Sequence, residues 1–299
     1  MTMVEGTYAC RACGRNTGLT QVRPSSIKGE LTSVDYAISD LRYGVTAAIY
    51  RCSACGLLQC LDANDVLAFY ERLEDPQYEE GREQRFLQAE QIVRTILKTL
   101  GCAGGQGKKL LDVGAGSGIL LQAARKAGFS AVGIEPSSWL VAQARAHGLE
   151  VHEGVLPHVS ASGPFDVVTL IDVIEHVIEP GMLLSAIREV LKPGGVAIVV
   201  TPDVSSLVAR ALSYRWWHYR IAHISYFNKK TLTIMTERAG LAVLKFSRPG
   251  WYFSYAYLRE RLLRYLPPWL VPPVIGPLRN AVIPLNLGDS LLMVCERPQ

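Results

Sequence analysis

KKLLDVGAGSGILLQAARKAG, residues 108–128, reads as a buried strand, a glycine-rich turn and the beginning of a helix. Its loop is Gly114-x-Gly116-x-Gly118, and position 119 is isoleucine, so the spacing is not G-x-G-x-x-G. Glycines let the backbone pass close to a ligand, and the first turn of the following helix presents free N–H groups. Glu135 ends the next apolar run, "SAVGIEP", about 20 residues past the first glycine, where a carboxylate can accept from both hydroxyls of a ribose.

Outward from this stretch, apolar runs alternate with helical sequence. "KLLDVG", "SAVGIEP", "FDVVTLIDV" and "GGVAIVVTP" have the near-continuous apolar character of strands buried on both faces, which predicts an α/β fold with a parallel sheet. "LAVLKFSRPG" and "DSLLMVCERP" add two strands near the end, with an insertion at about 250–287 between them. Ahead of the sheet, Asp65 is placed to cap a short helix. After Pro76 and Gly81, the positions Phe86, Leu87, Ile92, Val93, Ile96, Leu97 and Leu100 recur at helical spacing up to Gly101.

Two cofactor classes fit the glycine loop, a nicotinamide or flavin dinucleotide and S-adenosylmethionine. Asp112 stands in the first strand just before the loop, where it would repel a pyrophosphate. A carboxylate there suits the ammonium and sulfonium of S-adenosylmethionine instead. The missing third-glycine spacing points the same way.

"LLDVGAGSG", "GIEPS", "FDVVTLIDVIEHV" and "LKPGGVAIVVTP" together resemble the four successive motifs of class I S-adenosylmethionine-dependent methyltransferases. They are most similar to the ubiquinone-biosynthesis type and to enzymes of polysaccharide and natural-product pathways. The resemblance covers about residues 106–246 and continues through "RWWHYRIAHISYFNKKTLTIMTERAG". It implies a Rossmann-like, mostly parallel seven-stranded sheet with the last strand antiparallel. It also implies that Gly114, Gly116 and Gly118 cradle the methionine end, Glu135 binds ribose, and Asp112 and Asp172 complete the cofactor site. No residue stands out for adenine, and Gly154, Val155 and Leu156 occupy that region.

The chemistry would sit in "LIDVIEHVIEP". Asp172, Glu175 and His176 are spaced to share one face of a first helical turn at the carboxyl end of a strand. The resembling pattern E-x-x-E-H, in ubiquinone O-methyltransferases and plant small-RNA 3′-end methyltransferases, is associated with a divalent cation, so a bound Mg²⁺ is one expectation. Aspartate replaces the first glutamate here. His223 in "AHISYF" is a further ligand or base, giving Glu175, His176 and His223 as catalytic candidates. Helix capping by the carboxylates and packing by His176 are the competing readings.

Cys10-x-x-Cys13 and Cys52-x-x-Cys55 form two matched pairs, each followed by glycine, among seven cysteines. Four thiolates saturate tetrahedral Zn²⁺, so a structural site is expected within a zinc-ribbon module over residues 1–62. A zinc-ribbon extension of this kind resembles that of some sugar C-methyltransferases. Residues 63–105 then form a helical linker and 106–299 the methyltransferase domain.

The chain has 299 residues, 49% hydrophobic and 19% charged, with a formal charge of +4. That mild charge disfavours a dedicated nucleic-acid binder. The start lacks a basic segment followed by an apolar core, and no uncharged apolar run reaches the roughly 18 residues of a membrane span. Between Arg264 and Arg279, Pro267, Pro268, Pro272, Pro273 and Pro277 interrupt the most apolar stretch. A cytoplasmic protein is expected. The aromatics of "SYRWWHYRIAHISYF" and of the insertion, beside Arg259, Arg261 and Arg264, suit a lipid-linked acceptor and a peripheral contact with the inner membrane.

The expected activity is methyl transfer to oxygen or carbon of a small or lipid-linked metabolite of quinone, sugar or glycan type. The alternatives are an RNA methyltransferase and a non-catalytic scaffold that keeps the fold.

Overall fold

The computed structural model describes residues 3–4, 8–61, 66–161 and 163–299; the expected cap Asp65 and the expected boundary at 62–63 lie outside them. The chain opens with β1 (Met3–Val4), β2 (Leu19–Arg23), β3 (Ile49–Cys52) and β4 (Leu58–Cys60), paired antiparallel in that order. Three helices follow, α1 (Val66–Glu71), α2 (Pro76–Glu80) and α3 (Arg82–Leu100). Asp75 caps α2 by accepting from the Tyr78 N–H, and Pro76 takes the first helical position, where a missing N–H leaves no bond unmade. Gly101 closes α3 in the left-handed conformation, φ 64°, as its place in the sequence implies. Ala89, Ile92, Val93 and Ile96 of α3 share one core cluster with the main sheet.

That sheet begins with β5 (Lys109–Val113), α4 (Ile119–Lys126), β6 (Ser130–Glu135), α5 (Ser138–Ala146) and β7 (Val151–Glu153). It continues with β8 (Phe165–Ile171), α6 (Pro180–Val190), β9 (Leu191–Pro202), α7 (Leu207–Leu212), β10 (Ser225–Tyr226), α8 (Lys229–Arg238) and β11 (Ala242–Ser247). The insertion is a ribbon of β12 (Trp251–Ser254) and β13 (Val282–Leu285) enclosing α9 (Tyr255–Leu262), and β14 (Ser290–Glu296) ends the fold.

Seven strands run in the order β11-β14-β9-β8-β5-β6-β7. β5 to β9 pair in parallel and β14 lies antiparallel to both neighbours. The expected α/β architecture, with its last strand antiparallel, is the one observed. β7 was not singled out from the sequence, because three residues at a sheet edge leave little apolar pattern to read. The chain leaves β5 toward β6 on one side and returns to β8 on the other. The carboxyl ends of β5 and β8 therefore flank the switch point where ligands of open α/β sheets bind.

The N-terminal sheet is completed from the main fold. β10 pairs with β4, Ser225 opposite Gln59 and Tyr226 opposite Leu58. Leu57, Leu61 and Phe227 are buried in the same cluster as Ile174 and Leu184. Each such side chain stabilises the junction by about 1.5–3 kcal/mol.

Candidate active site

The turn after β5 holds Gly114, Gly116 and Gly118 at φ 73°, 54° and 77°, all left-handed. A Cβ on Gly114 would fall 2.4 Å from Val173, and one on Gly118 would fall 2.5 Å from Leu149. Gly116 faces the Tyr78 hydroxyl of α2, 3.1 Å from where its Cβ would stand. Asp112 is buried and accepts from the Thr169 hydroxyl at 2.6 Å. Glu135 accepts from the Gly116 N–H and the Ser137 N–H, both at 2.9 Å.

Burial pushes the carboxyl of Asp112 up to about 7, and the charge of Glu135 adds to it. Burial likewise pushes Glu135 up to about 7, against the pull of its two N–H donors. Two buried carboxylates held back from ionising are a fitting place for a cationic ligand that carries no phosphate. A hollow of about 540 Å³ bordered by Arg125, Ser130 and Glu150 lies instead at the amino end of the strands.

Asp172, Glu175 and His176 were expected on one face of an α-helical turn. The structure differs: Asp172 is left-handed at φ 52°, a 3₁₀ turn spans Ile174–His176, and α6 starts only at Pro180. Proline disfavours helix at the residue before it and Val177 is already extended, so α6 does not reach back over Ile174–His176. Ligand atoms of Glu175, His176 and His223 lie within 4.8 Å of one another, and Asp172 is not one of that group. Asp172 instead adjoins Val173, the residue against Gly114; its Oδ1 is buried without a hydrogen bond, and burial raises its carboxyl to about 7 against the charge of Arg85.

Glu175 is fully buried. Its Oε2 accepts from the Thr201 hydroxyl at 2.9 Å, while Oε1 has no hydrogen-bond partner and lies 3.9 Å from His176 Nε2. Burial, then the charge of Asp172, raises its carboxyl well above the usual range. His176 Nδ1 is 2.8 Å from both the Ala222 carbonyl and the Tyr70 hydroxyl. A carbonyl only accepts, which assigns the ring proton to Nδ1 and leaves the Nε2 lone pair free. Burial lowers His176 to about 4. His223 stands edge-on to His176 at 4.7 Å between ring centres, its Nδ1 unpartnered, and His218 stacks on it at 5.5 Å.

Two imidazoles with one carboxylate do not fit magnesium, which demands oxygen ligands in a near-octahedral shell. The same donors suit a borderline dication such as Zn²⁺ or Ni²⁺.

A second cluster joins Cys10, Cys13, Cys52 and Cys55, all four sulfurs within 4.8 Å of one another. Cys10 and Cys55 are 3.5 Å apart, Cys13 and Cys52 3.7 Å. Gly14 and Gly56 take φ 73° and 89°, and their N–H groups close each knuckle onto the Cys10 and Cys52 carbonyls. Against the burial that would raise it, the backbone N–H groups of Cys55 and Ala54 hold the Cys52 thiol down at about 7.

Residues 82–245, more than half of the chain, match the protein family described as a methyltransferase domain. The chain belongs to this methyltransferase family. Over 104 residues it is 36% identical to the ubiquinone biosynthesis O-methyltransferase of Caulobacter vibrioides, covering 32% of this chain and 41% of that protein. Over 107 residues it is 38% identical to the same-named protein of Pseudomonas aeruginosa, covering 33% and 46%. The chain thus spans less than half the length of these curated relatives. Among solved structures, a SAM-dependent methyltransferase and possible histamine N-methyltransferase from Thermotoga maritima is 17% identical at a TM-score of 0.47, covering 72% of this chain and 91% of that one.

Sequence reasoning missed Thr169 under Asp112 and Thr201 under Glu175, and Tyr70 and Tyr78 from the helices ahead of the sheet. The threonines stand out as polar residues within the near-continuous apolar runs of β8 and β9, a signal available to inspection. Nothing in the sequence marks the tyrosines.

Proposed function

We propose that this chain is an S-adenosylmethionine-dependent methyltransferase acting on a hydroxyl oxygen of an amphiphilic small molecule. The observation that carries the reading is the pair of buried carboxylates, Asp112 and Glu135, beside three left-handed glycines at the switch point. Bound there, the cofactor supplies a methyl on a sulfonium whose charge disperses in the transition state. Asp112 and Glu135 hold the positively charged and ribose portions, and Tyr78 covers Gly116 from outside. His176 Nε2 is free to take the acceptor's hydroxyl proton as the methyl–oxygen bond forms, while Ala222 and Tyr70 fix the ring by Nδ1. Positioning then provides most of the acceleration.

The O-methyltransferase names of the relatives support oxygen as the acceptor atom. The insertion supports an amphiphile. Trp269 is 81% exposed, Leu270 60% and Ile275 58%, with Arg264 and Arg279 exposed beside them. A ladder of rings, Tyr265–Trp217–His218–His223, runs from this surface to the catalytic histidines at spacings of 6.4, 6.2 and 5.5 Å. Apolar tips among cations suit an anionic membrane surface. No described helix is long and apolar enough to cross one. The four cysteine sulfurs would hold one structural Zn²⁺, a site in keeping with a reducing cytoplasm.

Titration calorimetry with S-adenosylmethionine tests the core of the reading, and absence of binding overturns it. For the acceptor, tritiated methyl transfer should favour a catechol bearing an alkyl tail over the same ring without one; equal rates remove the amphiphile. Flotation with phosphatidylglycerol vesicles tests the surface, where Arg264→Ala should weaken binding about fivefold.

A further inference from the structure

We propose that Arg11, held between two cysteines of the N-terminal cluster, is a positioning residue that sets the spacing of the Glu175–His176 turn and the His223 segment. Its Nε donates to the Ile178 carbonyl at 2.9 Å, and its Nη1 donates to the Ile224 carbonyl at 2.7 Å and toward Ser225 Oγ at 3.4 Å. Ile178 lies two residues beyond His176, and Ile224 directly follows His223. One planar guanidinium therefore spans the two chain segments that carry the catalytic candidates. A guanidinium is suited to this because its donors form a rigid fork.

The contacts around Ile224 make the link specific. Its N–H donates to the Glu175 carbonyl at 2.9 Å, and its own carbonyl also accepts from the Cys60 N–H at 2.8 Å. Glu175, Ile224 and the fork of Arg11 thus form one continuous main-chain bridge. At its other end Arg11 is fixed by the cluster itself. Its N–H donates to Gln59 Oε1 at 2.9 Å, Gln59 Nε2 donates to the Ala9 carbonyl, and Cys10 and Cys13 flank it. The side chain is largely withdrawn from water, and burial lowers the pKa of its guanidinium. Desolvating a cation is costly, so the carbonyls it meets must be well placed. The module ahead of the methyltransferase domain, on this account, sets the geometry of the acceptor end and leaves the cofactor loop untouched.

The inference rests on the catalytic reading of Glu175, His176 and His223, and its test needs no acceptor. Arg11→Lys and Arg11→Ala are compared with wild type by hydrogen exchange, by the side-chain imidazole NMR signals of His176 and His223, and by calorimetry with S-adenosylmethionine. Lysine keeps the charge but offers one nitrogen, so it serves if the alanine variant does not fold. The expected result is exchange at the Ile224 N–H faster by about tenfold or more, with shifted imidazole signals. Cofactor affinity should stay within twofold and zinc content should be unchanged. A lower melting temperature with wild-type Ile224 exchange and imidazole signals would make Arg11 mere packing and overturn the proposal. Equal loosening at Gly116 and Ile224 would overturn it too. Failure of wild type to bind the cofactor is separate, because it strikes the methyltransferase reading.

Discussion

The two ends of the proposed site are built in different ways. The cofactor end comes mostly from one run of chain: Asp112, the three glycines and Glu135 lie on β5, its turn and β6, Ser137 caps α5, and Thr169, Tyr78 and the Leu73 carbonyl meet them from outside. The acceptor end is gathered from Tyr70 on α1, the Glu175–His176 turn, Thr201 on β9 and the 218–223 loop. Its main chain is tied in turn to Arg11 in the first cysteine knuckle. The first is a local geometry of strand, turn and helix, and the second exists only once distant elements have packed.

That contrast makes separable predictions. His176→Ala should lower turnover at least 100-fold, the usual range for losing a positioned acid–base group, and leave S-adenosylmethionine affinity unchanged. Steady-state rates beside calorimetry decide it, and a parallel fall in affinity would erase the boundary between the two ends. Asp112→Asn should do the reverse. Losing one partner of a buried charge pair costs about 2–5 kcal/mol, so affinity should fall roughly thirtyfold or more with saturated turnover nearly kept.

Cofactor affinity should also depend on pH from the cofactor end alone. In the folded chain Asp112 and Glu135 titrate near 7, well above carboxyls in an unfolded chain. Ionising them therefore costs stability: the cost is absent below about pH 4, grows as pH rises, and is complete above about 7. A cationic ligand offsets that cost. Binding should tighten between pH 5.5 and 8, by at most about tenfold per pH unit per proton released, then level off. Flat affinity across that range would mean that neither carboxylate faces the cation.

The same contrast explains what was legible in the sequence. Gly114, Gly116, Gly118 and Glu135 announce themselves because a left-handed turn and a strand-end carboxylate are local demands with a residue type attached. The cysteine knuckles are legible for the same reason, each CxxCG carrying its own turn. His176 and His223 were named as residues, yet the α-helical face drawn through Asp172, Glu175 and His176 was wrong, because the helix start is governed by Pro180 and not by the spacing of the acids. Tyr70, Tyr78 and Arg11 could not be read at all. Each is an ordinary residue at the place where it stands, and acquires a role only through the packing of α1, α2 or the first cysteine knuckle against the sheet.

The smallest effect tests the finest part of this account. Tyr70 meets His176 at the same Nδ1 that already has the Ala222 carbonyl, both at 2.8 Å, and the two rings stand edge-on at 5.4 Å. Tyr70→Phe removes the hydroxyl and keeps the ring. If the carbonyl alone fixes the tautomer, the imidazole loses one hydrogen bond of about 0.5–1.5 kcal/mol but keeps its Nε2 lone pair. Turnover should then fall only a few-fold, cofactor affinity should not move, and the imidazole NMR pattern should remain that of a ring protonated at Nδ1. A switch of the proton to Nε2 in this variant would place control of the tautomer in α1 and not in the 218–223 loop. The acceptor end would then depend on the segment ahead of the sheet for its chemistry as well as for its spacing.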